Sequence, residues 1–176
     1  MKNTFRLFAI AFVVLGFAAG AGAQVTDGAY AEAHIITPLT ITKAVDMDFG
    51  NVAVINAPGT VVLSTASLRS STGDATPVAN PTGIVSAAEF TITGMVNAQV
   101  FVTLPADAPT PIRVTHTNGT DYMEVTDFNC TPATGFVIPV GGSETLFVGA
   151  TLNTNADQLP GTYHTLTDFE VTVNYQ

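Results

Sequence analysis

The chain has 176 residues, with 14 acidic side chains against 5 basic ones and a formal net charge of −9 at pH 7. That balance argues against nucleic acid and anionic membranes as partners, because both repel an acidic surface. A single cysteine rules out an intrachain disulfide, and abundant Thr and Val beside scarce Lys and Glu favour strands over helices.

Lys2 and Arg6 form a positive start, Leu7 to Ala19 is an uncharged apolar run, and Ala21-Gly22-Ala23 is an A-x-A site before Gln24. This is the pattern of a secretory signal peptide over residues 1–23, with an uncleaved anchor as the alternative. The apolar run is short for a membrane span, and no later stretch is long enough to make one. No stable membrane span is therefore expected after cleavage. Residues 24–176 keep all 14 acids against Lys43, Arg69 and Arg113, and suit a single domain. The expected location is secreted: periplasm, cell surface or extracellular space.

Gln24 to Tyr30 reads as a flexible lead. Ala31 to Thr42 follows as a strand with Ala31, Ala33, Ile35, Leu39 and Ile41 on one face, and Pro38 places it at an edge or breaks it. Val45 to Ile55 carries Met47 and Phe49 on one face, with Asp46 and Asp48 opposite. Ala57-Pro58-Gly59 reads as a turn, Thr60 to Ser64 as a strand, and Leu68 to Pro81 as an exposed loop. Ala87 to Gly94 puts Phe90 and Ile92 inward; Ala98 to Leu104 does the same with Val100, Val102 and Leu104. The short link between these two predicts a hairpin.

Ile112 to His116 and Thr120 to Phe128 flank Asn118-Gly119, a strong hairpin signal. Phe136 to Val140 and Glu144 to Leu152 are further strands, the second with Leu146, Val148, Ala150 and Leu152 in alternation. Gly161 to Gln176 closes the chain as one strand, with Tyr163, Phe169, Val171, Val173 and Tyr175 on the apolar face. Period two puts Phe169, Val171 and Val173 in the core and Glu170 and Thr172 in water. The sum is about nine or ten short strands, no amphipathic helix outside the signal, and an all-β, immunoglobulin-like antiparallel β-sandwich.

The sequence offers no chemistry. His34, His116, His164 and Cys130 lack metal-ligand spacing, so no metal or cofactor is expected. Cys130 reads as a structural thiol, with a reactive thiol or an intermolecular bridge as the alternatives. Asp46 with Asp48 and Asp168 with Glu170 share strand faces, yet such pairs arise freely among 14 acids and read as solvated. Ser143 follows Gly141-Gly142 without a nucleophile elbow. Asn118-Gly119-Thr120 and Asn129-Cys130-Thr131 match a glycosylation sequon, the first better read as a turn. No catalytic residue is assigned, and an enzyme is not expected.

Three pieces carry a resemblance: Pro38-Leu39-Thr40-Ile41 with Met47-Asp48-Phe49-Gly50; Ala88-Glu89-Phe90-Thr91-Ile92-Thr93-Gly94; and Gly161-Thr162-Tyr163 with Val171-Thr172-Val173-Asn174-Tyr175. Together they resemble the bacterial secreted family called domain of unknown function 4402. More distantly they are similar to spore coat protein U and to subunits of archaic chaperone–usher pili. The pilin likeness implies an incomplete sandwich completed by a neighbour's strand. In that scheme Ala31 to Ile41 is the donor or edge strand, and Phe169, Val171, Val173 and Tyr175 form the assembly strand a periplasmic chaperone recognises. The expectation is a non-enzymatic structural or adhesive surface protein, pilus-like or coat-like, partnered by copies of itself or another surface subunit. The alternative is a self-contained secreted binding module for a glycan or protein.

Overall fold

The computed structural model describes residues 24–78 and 84–176; the expected signal peptide, residues 1–23, lies outside the described residues. The chain divides into two units, 1–35 and 36–176. In the first, residues 24–35 form no strand and are exposed, with His34 3.2 Å from Glu32. The second holds eleven strands among its described residues and forms an antiparallel β-sandwich.

The larger sheet contains β1 (Thr40–Val45), β2 (Val52–Leu63), β3 (Arg69–Pro77), β4 (Ala88–Thr93), β6 (Ile112–His116), β7 (Tyr122–Thr131), β9 (Ser143–Thr154) and β10 (Tyr163–Thr165). The smaller sheet contains β5 (Gln99–Thr103), β8 (Gly135–Val137) and β11 (Thr172–Tyr175), in the order β11-β5-β8. Strand β9 is the spine of the large sheet. One edge pairs with β7; the other pairs with β4 along Ser143–Val148 and then with β2 along Ala150–Thr154. Gly149 sits at that handover, where a side chain would collide with the Leu63 carbonyl at the end of β2. Glycine is required there by proximity to backbone.

The core follows from alternation. Phe90 and Ile92 of β4, Val100 and Val102 of β5, and Leu146 and Val148 of β9 are buried together between the sheets, with Ile138. A second cluster gathers Val61, Ala75, Met123, Val125, Ala150 and Leu152. Phe169 wedges between Phe90 and Phe128, at ring-centroid distances of 6.5 and 5.3 Å, and ties the approach to β11 into the first cluster. The β6–β7 hairpin forms as expected: the Asn118 side chain accepts from the Thr120 and Asp121 backbone N–H groups at 3.0 and 3.2 Å.

Five local expectations are corrected. The first strand begins at Thr40, not Ala31: Pro38 lacks the N–H that a ladder needs, and the pairing with β4 starts only at Thr40, opposite Thr93. Leu68 to Pro81 is not a loop through its length: Arg69–Pro77 forms β3, a hairpin mate of β2, since Ser and Thr serve well enough in a polar edge strand. Ala57-Pro58-Gly59 is not a turn but part of a wide bulge within β2. There Asp74 accepts the N–H groups of Asn56 and Ala57 at 3.3 and 3.0 Å, and Gly73 takes φ +65° opposite Gly59.

Strands β4 and β5 are not a hairpin. The link 94–98 carries the chain from one sheet to the other, with Asn97 at φ 62° and the Ala98 N–H on the Met95 carbonyl. The closing stretch is two strands in two sheets: Tyr163–Thr165 pairs with β6, and Thr172–Tyr175 pairs with β5. The odd-numbered phase is the same on both sides of the exposed Leu166 to Asp168, so the sequence pattern hides the break. Tyr163 packs on the second cluster and Phe169 to Tyr175 on the first.

Candidate functional site

Of the residues expected to assemble the protein, Ile41, Val173 and Tyr175 lie in outer strands of their sheets. Ala31, Ala33 and Ile35 are exposed and belong to no strand, Ile35 fully so. Leu39 and Ile41 are half-buried against the first core cluster, and β1 pairs in its own chain with β4, Ile41 opposite Ile92. Strand β1 is the outer strand of the large sheet at this side. Lys43 guards it, 2.6 Å from Asp46 and 3.8 Å from Asp168. The hydrogen bond and charge of Asp46 hold its ammonium above the ordinary lysine pKa. A lysine and a register irregularity between Lys43 and Val45 are devices that discourage further strand pairing.

The edge of the small sheet is different. Phe169, Val171, Val173 and Tyr175 are half-buried, while Glu170, Thr172 and Asn174 are exposed. The phase expected from period two is correct, though none of the four is fully buried. The Gln176 N–H donates to the Gln99 carbonyl at 3.1 Å. Hydrogen-bonded pairs alternate in an antiparallel ladder. With Asn174 opposite Phe101 and Thr172 opposite Thr103, those even positions turn their backbone groups toward β5. Val173 and Tyr175 therefore turn theirs away, to the open edge, while their side chains face the core. Among the described residues β11 has no second neighbour in its sheet.

Tyr175 anchors this edge: its hydroxyl accepts the Met95 N–H at 2.7 Å and donates to the Thr37 carbonyl at 2.9 Å. The strand is thus pinned at its end and open along its side. Sequence reading found its apolar face but missed the open edge, which depends on where β11 falls in the sheet order. The Tyr175 clamp also carried no signal, since its partners are backbone atoms.

Several of the other polar residues singled out in the sequence are engaged within the fold. Asp48 accepts the Gly50 N–H at 2.7 Å, and Asp46 is engaged by Lys43. His116 lies against Tyr163 at 4.9 Å between ring centroids, and accepts the Asn118 N–H at Nδ1. Cys130 is half-buried among apolar neighbours, and burial raises its thiol pKa. Among the described residues no three His, Cys, Asp or Glu side chains gather to hold a metal ion. Two shallow depressions, of about 190 and 540 Å³, meet at Tyr122, over whose ring the Arg113 guanidinium lies at 4.1 Å.

No curated protein matches the chain. The profile of a protein family described as "Domain of unknown function (DUF4402)" matches residues 39–175, a span from just before β1 to the end of β11. All eleven strands lie within that match, so the sandwich and the family domain coincide, and the chain belongs to the DUF4402 family.

Proposed function

We infer that the protein is an exported, non-enzymatic structural or adhesive surface subunit that assembles by β-strand complementation, a neighbour's extended segment adding to the open edge of β11. The observation that carries this reading is that edge: outward backbone groups at Val173 and Tyr175 above a half-buried apolar row, with no second strand beside them among the described residues. Added strands gain affinity from main-chain hydrogen bonds and specificity from alternate side chains. The candidate donor is the exposed stretch leading into β1, in which Ala31, Ala33 and Ile35 alternate with Glu32 and His34. Extended at about 3.4 Å per residue, residues 24–36 reach on the order of 40 Å, well beyond the roughly 14 Å radius of gyration of a domain this size. A neighbouring copy, or another surface subunit, is within that reach. Before assembly the same open edge is what a periplasmic chaperone would cover.

The test is electrophoresis of the exported protein in SDS without boiling. Strand-complemented copies give a ladder, and Ile35→Asp abolishes it without lowering the melting temperature of the monomer. A single monomer band from the unaltered protein contradicts the reading.

A second reading, a self-contained binding module, draws support from the pairing of β1 with β4 within one chain and from the depressions beside Tyr122. Binding to a glycan array that Tyr122→Ala removes, from a protein that forms no ladder, would favour it.

A further inference from the structure

The outer face of the small sheet is uncharged in a strongly acidic protein. No side chain in 90–106, 128–143 or 171–176 is charged, and these stretches supply β5, β8 and β11 with their turns. Since Val100, Val102, Phe136 and Val173 face the core, period two turns Gln99, Phe101, Thr103, Val137, Thr172 and Asn174 outward. Phe101 stays 43% exposed on the central strand of that face, and Val137 52% exposed on the neighbouring β8. Phe101 lies over Gly135, its register partner, whose missing side chain leaves room for the ring. The apolar surface continues onto two adjoining turns, linked by the Gly94 N–H on the Gly142 carbonyl, where Val96 is 39% and Val140 84% exposed. Glu89, Asp107, Asp127, Glu144 and Glu170 stand at the sequence borders of these stretches.

We propose that this face is a contact between two copies of the chain, packed sheet against sheet about a two-fold axis. Charge selects the occupant. Copies carrying a net charge of −9 repel one another wherever their acids meet, and this face lets them touch without desolvating a charge. A basic partner would gain nothing here and would bind the acidic surfaces instead. A two-fold contact is self-complementary, with Phe101 of one copy meeting Phe101 and Val137 of the other.

Size sets the strength. Three strands at about 4.8 Å spacing and five residues at about 3.4 Å give a footprint roughly 15 Å square, on the order of 200–400 Å² with the turns. That is well below the roughly 800 Å² per partner of a stable complex. The contact is therefore weak and lateral, formed where copies are crowded; only the supply of crowded copies rests on the surface-subunit reading above. It uses the face of the small sheet, whereas strand addition uses its edge.

The test is sedimentation of the full-chain protein carrying Ile35→Asp, which blocks the candidate donor, over a concentration series into the high micromolar range. A reversible dimer is expected, and added salt should tighten it, because screening weakens the repulsion between like-charged copies. Phe101→Asp and Val140→Asp should each raise its dissociation constant at least tenfold, and Ser71→Asp on β3 should leave it unchanged. Should Phe101→Asp unfold the protein, Val140→Asp decides, since it lies in an exposed turn. A monomer at every concentration, a dimer indifferent to both substitutions, or a monomer that instead binds an uncharged polysaccharide such as cellulose would overturn the proposal. A single monomer band on electrophoresis of the unaltered protein, with the dimer intact, would remove strand addition alone.

Discussion

Arg69→Ala should be among the more damaging changes to a non-core residue in this protein. The half-buried guanidinium donates from Nη1 to the Phe49 and Asn51 carbonyls at 2.8 and 2.9 Å, and from Nη2 to the Val78 carbonyl at 3.0 Å. It thus ties the chain ahead of β2 to the chain leaving β3, closing the open end of that hairpin. Among the described residues no carboxylate pairs with it, so the three carbonyls are its main attachment. Hydrogen bonds involving a charged group contribute about 1.5–3 kcal/mol each when withdrawn from water. At a half-exposed site water recovers part of that, leaving a loss of about 2–4 kcal/mol for all three. For a domain of this size, that lowers the melting temperature by about 5–15 °C. Arg69→Lys should recover less than half, because a single ammonium cannot span the fork. Thermal and urea melts of the three proteins are the assay. A loss below about 0.5 kcal/mol for Arg69→Ala, the range of an ordinary surface change, would refute the reasoning, as would a lysine variant matching the parent.

Three further outcomes are expected. Val171→Asp should cost about 1–3 kcal/mol, because it places a charge on a half-buried face, while Thr172→Asp stays within about 0.5 kcal/mol; equal losses in melts would place β11 out of register. Gly149→Ala should cost at least about 2 kcal/mol, since its new methyl meets the Leu63 carbonyl and the strands cannot part without breaking the β2–β9 ladder; a neutral result would show that the handover is loose. Cys130 should react slowly with iodoacetamide in the native protein and rapidly in urea, because burial raises its pKa and shields it. The folded pKa lies above the unfolded one, so the thiol's contribution to stability is present below the ordinary thiol pKa and is lost as pH rises through the raised value. Cys130→Ala should flatten that alkaline decline in a series of melts.

Much of the sandwich was legible as period two. Phe90 and Ile92, Val100 and Val102, and Leu146 to Leu152 each alternate on the core side, and Asn118-Gly119 marked its hairpin. What misled was punctuation. Pro58-Gly59 looks like a turn, but a ladder on both sides and the Asp74 carboxylate hold the strand together across a bulge. Arg69–Pro77 looks like a loop because its composition is polar, yet an edge strand hydrogen-bonded to β2 needs no apolar face. Between Thr165 and Thr172 the chain leaves one sheet and enters the other through three exposed residues, Leu166 to Asp168, and the alternation resumes at Phe169 in the same odd-numbered phase. Local pattern reports which face is buried, not which sheet supplies the partner. Sheet order is a long-range property, and the open edge of β11 follows from it. The row Phe169, Val171, Val173 and Tyr175 could be read from the sequence; that its backbone has a free side could not.

Amide-resolved hydrogen exchange across β11 tests strand complementation most directly. In the unassembled protein the Asn174 and Gln176 amides should be protected by β5, while those of Val173 and Tyr175 exchange freely at the open edge. In the assembled protein all four should be protected, and Ile35→Asp should return Val173 and Tyr175 to free exchange. Protection of Val173 and Tyr175 in the monomer equal to that of their neighbours, or free exchange there within the assembly, would contradict the account.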